Sequence, residues 1–395
     1  MRKLLVKRRL SLFPLFMLLF SSPVFASGWD MPRGVTDISQ QVFDLHRTIL
    51  YICIAIGLVV FGLMFWSILR HRQSRGVKPA NFHESTTVEV IWTIIPFVIL
   101  IAMAVPATKV LIAMDDSSES ELTIRVTGSQ WKWHYEYLTY GDDKDVSVGF
   151  LSSLSTPREQ WERQGKGFGK SNLPDFEANP HYLIEVDRPL VIPTGKKIRF
   201  LLTADDVIHA WWVPDFAIKK DAIPGFINEL WTNVPVGKEG IYRGRCAELC
   251  GKDHAFMPIV VEAKSPADFE AWLADAKIRS AEEAKAAAAS VDYKFPSLAD
   301  AMKEGEAVYV ARCAACHQVN GAGLPPMFPA LKGSKMMVED SGLQDHIDII
   351  INGKNAMPGW KAILTAREMA AVTTYERNAW GNDTGDLVQP SEFAQ

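Results

Sequence analysis

Residues 246–258 read CAELCGKDHAFMP. Within twelve residues stand Cys246, Cys250, His254 and Met257, with Glu248 between the two cysteines. His209 lies thirty-seven residues before Cys246, in DVIHAWWVP, at the end of a predicted strand. Thiolates, imidazoles and thioethers are soft donors that favour copper over magnesium or calcium. A mononuclear blue-copper site uses one Cys, two His and a weak Met, and this sequence supplies one additional Cys. Two thiolates can bridge two ions, leaving one imidazole for each, with the Met257 sulfur and a backbone carbonyl as weak ligands. Spacing alone leaves two rivals open. A Cys246–Cys250 disulfide leaves both histidines without a role, and one structural zinc leaves Met257 without one.

Around this cluster, residues 121–262 are rich in short β-like runs. TIRVTG, HYLIEV, LVIPTG, KIRFLLTA, GIYRGR and MPIVVEA are separated by Gly, Pro, Asn and Asp turns, as in an antiparallel sandwich or barrel. QWKWHYEY alternates strictly, so Trp131, Trp133, Tyr135 and Tyr137 are predicted on one strand face and Lys132, His134 and Glu136 on the other. Most of such an aromatic face is core, and a subset at the surface can serve as an electron port.

Upstream, the chain opens MRKLLVKRRL, continues into a short apolar run and reaches small residues ending at Ala26. That is the pattern of a secretory signal cleaved after residue 26. Residues 48–69 carry no charge, and residues 90–111 form a second apolar run containing Pro96 and Pro106. Each is long enough to cross a bilayer as a helix, and membrane helices tolerate proline. The loop between them carries Arg70, Arg72, Arg75 and Lys78, and short basic loops stay in the cytoplasm. Both ends of the hairpin, and everything after it, are therefore expected outside. Glu89 stands at the cytoplasmic start of the second span, either snorkelling or belonging to a proton path. Cys53, within the first span, is read as packing.

Downstream, residues 263–290 are rich in Ala, Glu and Lys and read as a linker, part helical and part mobile, with no ligand. Then comes ARCAACHQVNGAG, whose Cys313, Cys316 and His317 form the Cys-x-x-Cys-His signature of c-type haem attachment. A second axial ligand is expected downstream. Met357, in NAMPGW, is preferred to Met327, in PPMFPAL, for its short Gly/Pro-bounded loop before Trp360. A His/Met pair raises the reduction potential, which suits a carrier late in respiration.

Charge follows the same division. Residues 1–113 hold 12 Lys/Arg against 5 Asp/Glu, residues 114–262 hold 17 against 23, and residues 291–395 hold 9 against 13. An acidic soluble surface argues against nucleic acid, whose phosphates require clustered Lys and Arg.

The two-helix hairpin, the QWxW strand, the distant His and CxExCGxxHxxMP together resemble subunit II of cytochrome c oxidase over residues 38–262. The resemblance implies a cupredoxin-like β-barrel in which His209, Cys246, the Glu248 carbonyl, Cys250, His254 and Met257 ligate a pair of copper ions. It further implies that the Glu248 side chain reaches magnesium at the interface with the large subunit. Trp131 matches the residue that receives electrons, and Glu89 matches the carboxylate at the mouth of a proton channel. Residues 296–382 resemble class I cytochrome c. In that family two helices cross at small and aromatic residues, here Gly305, Tyr309 and Tyr375, and the carbonyl of a proline such as Pro329 binds the axial imidazole.

The expected protein is multidomain: signal 1–26, transmembrane hairpin 27–113, copper domain 114–262, linker 263–290 and an all-α haem domain 291–395. Its expected role is to carry electrons from its own haem c through the copper pair to an oxygen-reducing subunit I, coupled to proton translocation. No catalytic acid, base or nucleophile is expected in this chain. Expected partners are subunit I, subunit III and a cytochrome c or upstream respiratory complex as donor. The expected location is a bacterial cytoplasmic membrane, with both soluble domains on the outer side. A nitric oxide reductase-type complex with a similar copper pair is the alternative, as is a copper or electron shuttle without a catalytic partner.

Overall fold

A computed structural model describes residues 30–78, 81, 83–157, 180–326, 328–354, 357–361 and 363–394. The expected signal, residues 1–26, and the rival ligand Met327 lie outside the described residues.

Two long helices come first, α1 at Asp37–Arg70 and α2 at Thr86–Asp115, with 34 and 30 residues. At 1.5 Å per residue these run about 51 and 45 Å, beyond the roughly 30 Å of a bilayer core. They outreach the predicted runs 48–69 and 90–111 because polar turns continue the backbone ladder past the apolar stretch. Thr36 caps α1, its hydroxyl oxygen accepting the Ser39 N–H at 3.0 Å. Leu58, Phe65, Phe97 and Val105 point outward and are covered by no other described residue. Both helices are long and apolar enough to cross a membrane.

The outer ends of the helices are fastened to the β-domain that follows. The Thr36 hydroxyl donates to the Phe216 carbonyl at 3.0 Å, and Val35 N–H donates to Asp215 O at 2.8 Å. At the end of α2, the Trp231 indole N–H donates to Ala113 O at 3.0 Å.

The β-domain is two five-stranded sheets packed face to face, the cupredoxin-like architecture expected. One sheet runs β3 (Val148–Ser152), β2 (Lys132–Tyr140), β1 (Leu122–Ser129), β5 (Ile198–Ala204), β8 (Asn228–Thr232). The other runs β4 (Leu190–Pro193), β10 (Pro258–Lys264), β9 (Gly240–Cys246), β6 (His209–Val213), β7 (Ile218–Ala222). Pairing is antiparallel except between β1 and β5 and between β4 and β10. Side chains alternate inward along β5, and Phe200 and Leu202 meet Trp133, Trp211 and Val261 in the core. Two predicted details change. HYLIEV is a turn joined to its surroundings by a Leu154–Val186 bridge and by the Glu185 carboxylate, which pairs with Arg243 of β9, and His209 opens a strand instead of closing one.

The expected linker is the largest departure. Residues Pro266–Ser290 form one helix, α3, capped by Ser265. Phe269, Leu273 and Ala276 on its inner face are buried in the β-domain core. Trp272 packs on Tyr137 with centroids 5.3 Å apart, and Lys277 pairs with Asp143 at 2.7 Å. Composition showed an Ala/Glu/Lys helix, but its apolar stripe is buried and not free.

The remaining residues form an all-α unit. Helices α4 (Leu298–Arg312) and α6 (Ala366–Asn378) cross at Gly305, where a Cβ would run into the Ala371 carbonyl. Tyr309 packs between Tyr375 and Trp380, with centroids 5.4 and 4.8 Å away. Helix α5 (Leu343–Asn352) leads into a two-residue ladder of Gly353–Lys354 with Met357–Pro358.

Candidate metal centre and haem-attachment site

Sheet register assembles the first site. Trp211 of β6 pairs with Cys246 at the end of β9, so the start of β6 delivers His209 beside that cysteine. The Ala247 N–H donates to Ala210 O, and Cys246 N–H donates to Met257 O at 3.0 Å. The loop between Cys246 and Met257 is thereby folded back on itself. Cys246 and Cys250 lie with sulfurs 3.7 Å apart and no disulfide between them. His209 Nδ1 stands 4.0 Å from the Cys246 sulfur, and His254 Nδ1 stands 3.4 Å from that of Cys250. The Cys246 thiol points at the Glu248 carbonyl oxygen, 3.3 Å away. Met257 is buried, only 1% exposed, whereas the Glu248 side chain faces solvent.

His209 is held from behind. Its Nε2 hydrogen-bonds the Asp206 carboxylate at 2.9 Å, which leaves Nδ1 facing the sulfurs. The other Asp206 oxygen accepts the Gln130 N–H at 2.7 Å. Burial opposes charge on His209, but the hydrogen bonds to Asp206 and Cys246 outweigh it and raise its pKa. The two thiols titrate as a pair: the Cys250 hydrogen bond pulls the Cys246 proton off early, and the remaining thiol then resists ionisation. A cation replacing both protons removes that conflict, so the donor set fits soft metal.

The Gln130–Trp131 turn closes over this loop. The Gln130 side-chain amide and the Trp131 indole N–H both donate to the Cys250 carbonyl, at 2.8 and 3.3 Å. Gly251, at φ +115°, passes beneath them, where a Cβ would lie 2.9 Å from Gln130 Nε2. Gly128 likewise faces the His209 ring, 2.9 Å from where a Cβ would stand. Trp131 is thus set apart from Trp133, Tyr135 and Tyr137: it sits in the turn before β2, half-buried, while those three are core. Asp206, Gln130 and the two glycines were not singled out in the sequence. The only sign was the Asp205–Asp206 pair just before His209.

In the helical unit, Cys313, Cys316 and His317 share a single turn in which the Cys316 and His317 N–H groups both donate to Cys313 O. Both cysteines are free thiols, and His317 Nδ1 lies 3.0 Å from the Pro329 carbonyl oxygen. Met357 is partly buried against the core of this unit, and Trp360 is buried within it, its indole N–H without a partner among the described residues. Glu89 stands apart from both sites, exposed in the first turn of α2.

A membrane hairpin carrying a cupredoxin-like domain and then a haem-attachment domain defines an anchored electron-transfer protein. Residues 122–264 match the family described as cytochrome C oxidase subunit II, periplasmic domain, and residues 25–110 match its transmembrane domain. Residues 300–375 match cytochrome C oxidase, cbb3-type, subunit III. A probable cytochrome c oxidase subunit 2 of Rickettsia bellii is 37% identical over 65% of this chain and 89% of its own length. Cytochrome c oxidase subunit 2 of Arabidopsis thaliana is 35% identical over 64% of this chain and 90% of its own. The solved periplasmic domain of subunit II of cytochrome oxidase from Bradyrhizobium japonicum is 36% identical, covering 41% of this chain and 98% of that one, with a TM-score of 0.32. The chain belongs to the cytochrome c oxidase subunit II family and carries a C-terminal cytochrome c domain. Membership implies copper in the first soluble domain and haem c in the second.

Proposed function

We propose that the chain conveys electrons from its own haem c to a pair of copper ions, and from there to an oxygen-reducing subunit I. The observation that carries this reading is the cluster of His209, Cys246, Cys250 and His254, with Trp131 fastened to the Cys250 carbonyl. Copper and haem supply one-electron couples when bound. Cys246, Cys250, His209 and His254, with Met257 and the Glu248 carbonyl, would hold the two copper ions. Cys313 and Cys316 would anchor the haem, and His317 and Met357 would hold its iron. Pro329 orients His317 through the Nδ1–H, as Asp206 orients His209.

The finer assignments belong to the same proposal. Trp131 is the port for electrons into the copper centre. Glu89, at the opposite end of a 30-residue helix from the copper domain, opens a proton path in the large subunit. The solvent-facing Glu248 carboxylate completes a magnesium site with that subunit, and subunit III joins the complex. The soluble domains lie on the outer face of a bacterial cytoplasmic membrane, where a cytochrome c or a respiratory complex reduces the haem. Residues 1–26 are a signal removed on export, and the copper and haem domains span 114–262 and 291–395.

Metal analysis of the purified chain, with its visible and near-infrared spectrum, tests the core of this reading. Two coppers and one covalent haem per chain are expected; zinc, or a closed Cys246–Cys250 cystine, overturns it.

A further inference from the structure

Lys132 is the first residue of β2, directly after Trp131, on the strand face opposite the core residues Trp133 and Tyr135, where His134 and Glu136 are only part-buried. It is instead 5% exposed. Its Nζ stands 4.7 Å from the centre of the Trp360 ring, which belongs to the haem domain. Trp360 is itself 6% exposed. The charges felt at Lys132 come from both sides of this seam: Arg312 and Cys316 from the haem domain, Asp205 and Asp206 from the copper domain. Cys316 in turn feels Asp253, Lys252, Lys132 and Asp206. The attachment turn of one domain therefore lies against the copper loop and the Trp131 corner of the other. Helix α3, packed on the β-domain by Phe269 and Leu273, shortens the free connection between them.

We propose that Lys132 and Trp360 form a fixed docking contact that seats the haem domain on the Trp131 corner, so that this chain's own haem domain occupies the copper domain's electron port. This rests on the reading of the two domains as donor and acceptor. A lysine over an indole face is a favourable contact that also selects orientation, because the charge must meet the ring face and not its edge. Lys132 is thus a positioning residue. An external carrier would then be directed to the exposed side of the haem domain, since the copper-domain corner is already covered.

Acylation of the intact, haem- and copper-loaded chain with an amine-reactive ester, read by peptide mass spectrometry, tests this. Lys132 is expected to react about tenfold or more slowly than the exposed Lys144 of the same domain, the protection that a stable local contact confers. Trp360→Phe, which keeps a ring, is expected to retain protection, and Trp360→Ala to lose it. Lys132→Glu, which sets a carboxylate beside Asp205 and Asp206, is expected to speed amide exchange in residues 128–134 and 357–361 without altering the haem spectrum. Lys132 reacting as fast as Lys144 in the unmodified chain, or Lys132→Glu leaving exchange unchanged, overturns the docking contact. Missing copper or haem would instead strike at the function proposed above.

Discussion

Asp206 and His209 form a buried pair, Oδ1 to Nε2 at 2.9 Å, and the second Asp206 oxygen takes the backbone N–H of Gln130. One carboxylate therefore sets both the inward-facing nitrogen of a candidate ligand and the position of the turn that carries Trp131. Replacing it breaks two supports at once. Asp206→Ala is expected to weaken copper binding by about 10- to 100-fold, the usual effect of losing a ligand's orienting partner. Equilibrium competition with a copper chelator measures this, and an unchanged affinity would mean the ring is held by packing against Trp133 alone.

Cys246→Ser and Cys250→Ser each leave one sulfur in the proposed copper site. Both are expected to lose the copper absorption while haem content stays at one per chain, because the haem domain has its own core. Metal analysis with a haem assay reads both outcomes. Joint loss of copper and haem would assign these cysteines to folding.

Gly305 meets the Ala371 carbonyl and the Tyr375 Cβ where α4 and α6 cross. Any side chain there forces the helices apart. Gly305→Ala is expected to destabilise the haem domain by about 1–3 kcal/mol, the range for overpacking a tight contact. Thermal unfolding followed at the haem band checks this, and an unshifted midpoint would show that the crossing has room.

Docking of the haem domain has a pH signature. Burial, followed by the Arg312 charge, pushes the Lys132 amine down to about 8 from 10.5, against the pull of Asp206, Cys316 and Asp205. Burying the charged amine costs more than the Trp360 ring face returns, so the docked form binds fewer protons than an undocked one between those values, and docking is expected to tighten as pH rises through about 8. Below that window both forms are protonated and the pH dependence vanishes. Spin-label distances between the two soluble domains would report it, and a spread that broadens from pH 8 to 10 would contradict the sign.

The candidate donors stood out because their chemistry is local: CAELC, KDHAFM and CAACH set Cys, His and Met side chains at fixed short spacings. The spans were legible because twenty apolar residues have few other uses. What stayed hidden was tertiary. Nothing in the sequence ties Asp206 to Gln130, seventy-six residues apart. The alternation in QWKWHYEY placed Trp131 on the face of Trp133, but the chain turns before β2 begins, and Trp131 packs on the cysteine loop instead. The segment after residue 263 read as a tether because Ala, Glu and Lys dominate it; Phe269, Trp272 and Leu273 are enough to bind its first half to the β-domain.

The most direct test delivers a single electron to the haem of the fully loaded chain by a light-driven reductant and follows the haem and copper bands together. Haem re-oxidation and copper reduction are expected to share one rate constant that does not change with protein concentration, because donor and acceptor sit in one chain. A rate proportional to protein concentration, or a haem that stays reduced beside oxidised copper, would contradict the account.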